Sequence, residues 1–388
     1  MPLNHVELQE QIKLFSKNEL LVHEHAETQL TQALIALEHF SRDIEGMQRN
    51  GDGAAMRIAV PTHENPNKTF TYPSGVGSYN LVCADGSQII PDPQSAPVFG
   101  LVNIGIIRIP AGNEIPIQPV IISKLYQHDK LYVENQLISE DMLNLDRDVL
   151  EMRYLCEYCE GLDGLTIALR DGLLELYHEP RTDKAFQERF STYHTYLQSL
   201  RSADIITAGY VDKPRSQMLL DLLRRCASDE DKDQPATAFF PDISDRQLFE
   251  RKLRSGERSA IFENHPPQND SEKHFDTVQF FFFYLNVSQS EKPWIVRVEI
   301  PRWVAMDAVK VDLLQAALLK QCTIMGTKPY PYCLHRAHET ALVRQEEKNE
   351  LAKRIQATQI QDGIPLDEKS YKQSAKDHLP HNKVERKR

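Results

Sequence analysis

The chain has 388 residues, enough for one large or two ordinary domains, and its 41% hydrophobic and 26% charged residues are typical of a globular protein. No apolar run is long enough to span a bilayer, and the N-terminus lacks the basic-then-apolar order of a signal peptide. We therefore expect a cytoplasmic protein. The net charge of -11 argues against nonspecific coating of nucleic acid, although a local basic groove is compatible with it. The chain contains no GxxxxGKS or GxxxxGKT loop and no GxGxxG sequence at the start of a helix, which argues against an ATPase or a dinucleotide enzyme.

The first third of the chain changes from helical to strand periodicity. Apolar residues at helical spacing over 6–48 predict one or two helices within an N-terminal arm, 1–60, that serves for packing, dimerisation or partner contact. The segment 61–78 is rich in Pro, Asn and Gly and is predicted to be a loop that leads into the first strand, 79–90. A second strand over 98–109 completes a predicted hairpin, with β-structure continuing to about residue 133.

Helices and strands alternate in the rest of the chain. The predicted elements are a helix 139–160, a strand 164–170, a helix 183–200, a strand 204–211, a helix 217–226, strands 278–287 and 294–300, a helix 303–320 and a closing helix that contains His338. We expect a main domain over 61–345 with an acidic surface excursion at 228–246, and a charged, largely disordered tail over 346–388. The order predicts an α/β fold, a mixed sheet flanked by helices with an N-terminal helical extension, which suits a ribonuclease-H-like sheet.

Two Asp-Gly pairs follow apolar strands, at Asp85-Gly86 and at Asp171-Gly172. A carboxylate where a buried strand reaches a glycine can be held rigidly and still be reached by a metal ion or a substrate. Asp-Gly is also the commonest sequence signal for a hairpin turn, and each pair taken alone is more often a plain turn. Two strand-borne pairs together suggest two acidic ligands at one end of a sheet.

Chemistry alone widens this set of candidates. The side chains concerned are Asp85, Asp171, a Glu on the helix 139–160, Lys213, Glu299 and His338. Carboxylates favour Mg²⁺ and Mn²⁺, and an added histidine shifts the preference towards Mn²⁺. Two such ions about 3.5–4 Å apart can activate a water and stabilise the leaving oxygen of a phosphodiester. A lysine near the strand ends can hold the scissile phosphate.

Several of these residues lie in motifs that resemble the NurA nuclease family. The matching blocks, in the same order as in the family, are 84–87, 170–172, 211–216, 295–301 and 330–338. The last is the most specific, because the family pattern is Tyr-Pro-Tyr-Pro-Leu followed shortly by Ala-His, and this chain has Tyr330-Pro331-Tyr332 followed by Ala337-His338. The resemblance spans about 79–343.

The resemblance implies a manganese-dependent nuclease, with Mg²⁺ as the alternative ion, that acts 5′ to 3′ on DNA ends, with single-strand endonuclease activity as a further expectation. It also implies a homodimer that works beside a HerA-type hexameric ATPase in end resection at double-strand breaks. Carried over by position, the implied metal ligands are Asp85, Asp171, His338 and a helical glutamate. Lys213 and Arg215 would contact phosphate, and Tyr330 and Tyr332 would shape the pocket or stack on bases.

Three questions stay open at this stage. The pattern Arg147-x-x-x-Glu151 points to Glu151 as the helical ligand, but Glu157 lies on the same helix. Glu299 is either a site residue or the ion-pair partner of Arg297 or Arg302. The activity is either that of a DNA nuclease, of a ribonuclease, or of a catalytically weak adaptor that clamps onto a HerA-like translocase, because fold alone does not fix function.

Overall fold

The computed structural model describes residues 3–72, 77–112, 118–133, 136–176, 184–231, 239–267 and 278–365. Its helices are α1 (His5–Phe40), α2 (Ile44–Gly51), α3 (His128–Leu131), α4 (Glu140–Cys159), α5 (Lys184–Ser202), α6 (Met218–Glu230), α7 (Asp245–Lys252), α8 (Arg302–Ala305), α9 (Ala308–Ile324), α10 (Tyr332–Ala341) and α11 (Gln345–Gln361). None of these helices has the length and apolar character needed to cross a membrane.

The strands fall into the same chain order. They are β1 (Ile58–Pro61), β2 (Thr69–Phe70), β3 (Asn80–Ile89), β4 (Gly100–Ile109), β5 (Val120–Tyr126), β6 (Tyr132–Val133), β7 (Gln136–Leu137), β8 (Thr166–Asp171), β9 (Ile206–Asp212), β10 (Arg258–Ser259), β11 (Phe262–His265), β12 (Phe280–Asn286) and β13 (Ile295–Pro301). The chain divides into two compact units. The first unit comprises Met1–Asn80, Asp163–Leu176 and Asp204–Tyr332, and the second comprises Leu81–Leu162, Tyr177–Ala203 and Cys333–Arg388.

The first unit contains a mixed sheet with the strand order β1-β11-β12-β13-β9-β8, with β10 paired to both β12 and β2. Its pairs are antiparallel except for the parallel pair β8–β9. Every residue of β12 and β13 is buried, as expected for continuous apolar strands covered on both faces. The second half of α1 and the helices α2, α6 and α7 supply side chains to the core of this unit, among them Leu30, Leu37, Met47, Leu219 and Phe249.

The second unit contains the antiparallel strands β3, β4 and β5, with α4 and α10 on opposite faces. Side chains alternate along β3, because neighbouring residues of a strand point to opposite faces. Gly86 therefore lies on the α4 face, where an added Cβ would meet Glu151, whereas Ser87 lies on the α10 face and donates a hydrogen bond to the Ala341 carbonyl. The residues Ile89, Phe99 and Leu101 form a small cluster on which Leu351 and Ile355 of α11 pack.

The predicted fold class is confirmed, as a mixed α/β arrangement with helices on the sheets and helices at the N-terminus. The predicted hairpin is found as β3 and β4, and the helices and strands predicted between 139 and 226 are found within a few residues. The strand that carries Asp85 is not the first strand, because β1 and β2 precede it, and β10 and β11 were also missed. These four strands have two to four residues each, which is too short to show an alternating pattern.

The predicted segments at the ends of the chain differ in detail from the structure. In the segment 1–60, for which packing was one of the predicted roles, residues from Ala26 onward join the core of the first unit. Of the acidic excursion 228–246, residues 232–238 lie outside the described residues, while Phe240 and Ile243 are buried in the core and Asp245 begins α7. The charged tail begins with the regular helix α11, and residues 366–388 lie outside the described residues.

Candidate functional site

Asp85 lies in the middle of β3 and not in a turn. It is paired with Gly105 of β4, and Gly86 is paired with Ile104, so the strand continues through the Asp-Gly pair. The hairpin-turn interpretation is therefore wrong at this position. The Asp85 carboxylate is largely buried; its Oδ1 accepts a hydrogen bond from the Gly86 backbone N–H at 2.8 Å, and its Oδ2 lies 2.7 Å from His338 Nδ1.

His338 reaches Asp85 because α10 lies directly on β4. A Cβ at Gly105 would lie 2.5 Å from the Ala337 carbonyl oxygen, so only glycine permits this approach. Beyond His338, the Ala341 carbonyl accepts hydrogen bonds from Ser87 at 2.5 Å and from Asn103 at 2.8 Å. These contacts fix the end of the helix against the sheet. The His338 side chain is 56% exposed, so its ring remains accessible while one nitrogen contacts the aspartate.

Glu151 approaches the same strand from α4. Its side chain is 3% exposed, and its Oε1 lies 3.4 Å from Arg147 Nε. Arg147 also donates hydrogen bonds to Gln88 Oε1 at 2.9 Å and to Asp148 Oδ1 at 3.2 Å. A Cβ at Gly86 would lie 2.6 Å from Glu151 Oε1 and 2.6 Å from Arg147 Cγ. Gly86 is thus a notch, a position on β3 without a side chain. It leaves room for the Glu151 carboxylate against the backbone next to Asp85.

Glu157 has a different environment on the same helix. Its side chain is 42% exposed and its Oε1 accepts a hydrogen bond from Arg153 Nε at 2.6 Å, an ordinary i,i+4 surface pair. Of the two glutamates that the sequence left open, the structure therefore brings Glu151, and not Glu157, against the strand of Asp85. Arg147 was predicted only as part of a pattern, and Gln88 and Asp148 were not predicted, because nothing local in the sequence distinguishes them from solvated polar residues.

The donor types around Asp85 suit a divalent cation, although the full ligand set is not gathered. Carboxylates and one imidazole favour Mn²⁺ or Mg²⁺. However, within the described ranges there is no group of three or more His, Cys, Asp or Glu side chains placed to hold a metal ion. Asp85 faces α10, whereas Glu151 lies on the α4 face of the same strand. The pair Asp85–His338 is the assembled part of the donor set.

Asp171 is the last residue of β8 in the first unit, opposite Tyr210 of the parallel strand β9. It is half-buried. Gly172 follows with a φ of +88°, a left-handed conformation that favours glycine, and its N–H donates to the Tyr210 carbonyl at 2.8 Å. A Cβ at Gly209 would lie 2.6 Å from the Gly172 carbonyl oxygen. Two glycines therefore allow the chain to turn sharply after the aspartate.

Glu299 holds the loop that follows Asp171. It is completely buried, and Arg297 donates a hydrogen bond to its Oε1 at 2.5 Å. Its Oε2 accepts the backbone N–H groups of Leu174 at 2.9 Å and of Glu175 at 3.3 Å. These contacts occupy both carboxylate oxygens. Of the two interpretations of Glu299, the structure shows the buried ion-pair partner of Arg297, and it adds a role in fixing the loop.

A further buried carboxylate in this loop was missed by sequence analysis. Glu175 lies 2.7 Å from Arg57 Nη1 and accepts a hydrogen bond from Asn264 Nδ2 at 2.5 Å. Burial raises the pKa of Glu175 to about 7, while Arg57 opposes this rise and the neighbouring Glu299 adds to it. A glutamate between leucines in a loop carries no local signal for burial, so no sequence pattern could have revealed it.

The predicted phosphate contacts Lys213 and Arg215 follow β9 in the first unit, and both are exposed. Lys213 has a φ of +49°, and its Nζ lies 4.5 Å from the centroid of the Trp294 ring. Trp294 in turn donates a hydrogen bond from its indole N–H to Asp212 at 2.7 Å. The lysine is thus held over an aromatic face while it remains exposed.

The two tyrosines of the last motif are both half-buried. The Tyr330 ring packs edge-to-face on Tyr210, with their centroids 5.3 Å apart, within the first unit. Tyr332 is the first residue of α10. Tyr330 therefore packs on Tyr210, the residue that pairs with Asp171 across β8 and β9. Tyr332 lies on α10, the helix that carries His338.

These features define an α/β protein with a carboxylate–imidazole pair between β3 and α10, and comparison with known proteins identifies its family. The NurA domain matches residues 80–343, more than half of the chain, and the chain belongs to the NurA domain family. A search of curated proteins found no match.

Among solved structures, the NurA nuclease from Sulfolobus solfataricus is similar, with 12% identity, a TM-score of 0.52, and coverage of 78% of this chain and 91% of that chain. The Argonaute of Marinitoga piezophila, in complex with guide RNA and target DNA, has 11% identity, a TM-score of 0.30, and coverage of 70% and 30%. Endonuclease V of Ciona intestinalis, in complex with DNA, has 10% identity, a TM-score of 0.30, and coverage of 71% and 87%. The similarity to the Sulfolobus protein shows a common fold.

Proposed function

We propose that the chain is a metal-dependent nuclease that hydrolyses phosphodiester bonds at DNA ends. Membership of the NurA family supports a nuclease function. The single observation that carries the proposal is the contact between Asp85 and His338 at 2.7 Å, with the Glu151 carboxylate against the adjacent Gly86. Asp85 and His338 come from β3 and α10, two regular elements in direct contact, which is the support that a preorganised pair requires.

From the family resemblance, we propose Asp85, Glu151, Asp171 and His338 as metal ligands, with Mn²⁺ as the ion, Mg²⁺ as the alternative, and two ions bound. When bound, the ions would activate a water and stabilise the leaving oxygen of the phosphodiester. Within the chain itself, Arg147 restrains the Glu151 carboxylate, and Asp85 orients the His338 ring through Nδ1. The other ring nitrogen, Nε2, is then directed away from Asp85.

The proposed substrate contacts come from the first unit. Lys213 and Arg215 are exposed cations, the type of side chain that holds a phosphate. In this proposal they bind the phosphates next to the scissile bond. The half-buried rings of Tyr330 and Tyr332 shape the pocket or stack on a base.

The cleavage polarity and the biological setting are proposed from the family resemblance alone. They comprise 5′ to 3′ digestion, end resection at double-strand breaks, a homodimer in the cytoplasm, and partnership with a HerA-type ATPase. A second candidate function is that of an adaptor on such an ATPase. It is favoured by the exposed apolar side chains of Ile12, Leu14 and Phe15 on α1, which are 61–65% exposed and suit a partner contact.

The experiment is the degradation of linear DNA labelled at the 5′ or the 3′ end, in Mn²⁺, Mg²⁺ or EDTA, with a labelled RNA of the same sequence in parallel. Wild type is compared with Asp85→Ala and with Asp129→Ala, a matched loss of an exposed aspartate in the second unit. The proposal predicts metal-dependent loss of 5′ ends that only Asp85→Ala abolishes. Absence of cleavage of either nucleic acid by the wild type, even with a HerA-type partner and ATP, would support the adaptor. Cleavage of RNA only would support a ribonuclease.

A further inference from the structure

A group of cations and tyrosines joins α4 to the strands β4 and β5 of the second unit, and we call it the basic–aromatic face: Arg108, Lys124, Arg153, Tyr154 and Tyr158. The Arg108 guanidinium lies 5.3 Å from the centroid of the Tyr158 ring. The Lys124 Nζ and the Arg153 guanidinium each lie 5.5 Å from the centroid of the Tyr154 ring. Three cations from β4, β5 and α4 are therefore held in fixed positions by two aromatic rings.

The face continues the row of α4 residues that carries Glu151. Arg147, Glu151, Tyr154 and Tyr158 follow one another at spacings of four, three and four, which places them on one side of a helix. With a rise of about 1.5 Å per residue, Tyr154 lies about 4.5 Å and Tyr158 about 10 Å along the helix from Glu151. One strand of a duplex carries a phosphate about every 3.4 Å along the axis, so the row from Glu151 to Tyr158 has the length of about three phosphates. A substrate of several nucleotides can therefore contact the whole row.

The positive charge of the basic–aromatic face exceeds the negative charge near it. Glu157 pairs with Arg153, and Asp146 is occupied by Arg189 and by the Tyr126 hydroxyl. For Lys124 and Arg108, the described residues provide ring contacts but no ion pair, and the buried Nε of Arg108 has no hydrogen-bond partner among them.

The pKa of Lys124 is lowered, first by burial and then by repulsion from Arg153, while Glu157 and Asp146 oppose this. Repulsion between the cations disfavours their close approach unless an anion is bound. The sign of this local charge is opposite to the net charge of the chain, which is -11, and it suits an anionic partner.

We propose that the basic–aromatic face binds the phosphate backbone of a nucleic-acid strand on the α4 side of the second unit, the side on which Glu151 also lies. This inference rests on the proposed nuclease function for the identity of the anion. Tyr154 is 8% exposed and serves to seat the two cations rather than to stack on a base. Recognition is therefore of the backbone, independent of base sequence, and adds affinity in proportion to the number of phosphates that the strand brings.

The test is binding of a fluorescent single-stranded 20-nucleotide DNA in EDTA, so that no hydrolysis occurs, over a series of salt concentrations. The variants are Lys124→Gln, Arg108→Gln and the double variant, with Lys124→Arg as the conservative change. Lys184→Gln and Arg354→Gln remove matched exposed cations of the same unit that are paired with Glu188 and Glu350. Hydrolysis of the p-nitrophenyl ester of a single nucleotide is measured beside binding, because the one phosphate of that substrate is the phosphate that reacts and none is left for the face.

Each single variant is expected to weaken binding by roughly 3–10-fold and to reduce the slope of log K against log salt by about 0.7. Lys124→Arg and the two control variants are expected to retain wild-type affinity, and all variants are expected to hydrolyse the short ester at the wild-type rate. Unchanged affinity and slope in the double variant would overturn the inference and leave the nuclease proposal intact. Weakened binding in a protein that hydrolyses neither substrate would support the inference and overturn the nuclease proposal. No binding by the wild type would overturn the inference, and hydrolysis of the short ester would then decide the nuclease proposal by itself.

Discussion

The carboxylates of the two units differ in what surrounds them. In the second unit, Asp85 contacts the ring of His338, whose side chain is 56% exposed. In the first unit, Glu299 and Glu175 are buried and enclosed by arginines and backbone or amide N–H groups. A carboxylate whose partners are all supplied by the protein stabilises the fold, whereas one that faces an accessible side chain can still bind a ligand. The carboxylates of Glu299 and Glu175 therefore hold the fold together, whereas that of Asp85 is one of those proposed to take part in the reaction.

The largest expected effect is a loss of stability when Glu299 is replaced. Glu299→Ala leaves the buried Arg297 guanidinium and two backbone N–H groups without their acceptor, and we expect a loss of about 3–5 kcal/mol in the free energy of unfolding. Denaturant unfolding measures this change. Glu38→Ala removes an exposed carboxylate that pairs with Arg42, and should cost about 0–1 kcal/mol. Equal losses in both variants would show that Glu299 is not enclosed as described.

The second effect concerns pH and Glu175. Its pKa in the folded protein is raised by burial to about 7, from an ordinary 4.5, so the folded state binds a proton that the unfolded state has lost between these values. The stability that this group contributes is therefore full below about pH 4.5 and is lost as the pH rises to 7, by up to about 3 kcal/mol.

Unfolding of the wild type and of Glu175→Gln across pH 4–8 isolates this contribution. The difference in unfolding free energy between the two proteins should shift in favour of the variant as the pH rises. A difference that stays constant with pH would mean that Arg57 keeps the carboxylate ionised throughout.

The third effect concerns the notch at Gly86. Gly86→Ala places a methyl group 2.6 Å from Glu151 Oε1, so the carboxylate must move, and we expect a loss of roughly 100-fold in the hydrolysis rate. Gly77→Ala is the matched control, because no heavy atom lies within 4 Å of its added Cβ. Steady-state hydrolysis of end-labelled DNA compares the two. Wild-type activity in Gly86→Ala would separate Glu151 from the reaction.

The smallest expected effect is at Glu157. Glu157→Gln removes an exposed charge from a surface pair and should change the free energy of unfolding by less than about 0.5 kcal/mol, without altering hydrolysis. Glu151→Gln, on a different side of α4, should lower the hydrolysis rate at least tenfold, which corresponds to a rise of about 1.4 kcal/mol in the activation free energy. Paired assays of the two variants sharpen the distinction between a solvated helical glutamate and one held against the strand. A larger loss in Glu157→Gln would reverse their assignment.

Much of the arrangement could be predicted from local patterns. The hairpin of β3 and β4 follows from two apolar runs of strand length, and α4 and α5 follow from helical spacing. Asp85 and His338 were nominated by their motifs, and the structure brings them together. The two-residue strands β2 and β10 could not be found in this way, because their existence depends on pairing with distant segments.

The missed features of the site depend on contacts between distant residues. Glu299 is 125 residues from Leu174, whose N–H it accepts, and no local pattern links them. Gly86 was noted as part of an Asp-Gly pair. A glycine is needed there because a side chain would collide with Glu151 and Arg147, and this depends on how α4 packs on the strand. Sequence patterns therefore named the chemical groups, while packing decided which of them are enclosed and which remain accessible.

The most direct test of the account is Mn²⁺ binding followed by electron paramagnetic resonance, with hydrolysis playing no part in the readout. Wild type is titrated beside Asp85→Asn, which keeps the size of the side chain, and beside Glu157→Gln as the control. The account predicts that Asp85→Asn weakens Mn²⁺ binding at least tenfold, because a charged oxygen ligand is lost, while Glu157→Gln binds as the wild type does. Equal Mn²⁺ affinity in the wild type and in Asp85→Asn would contradict the assignment of the Asp85–His338 pair as a metal-binding centre.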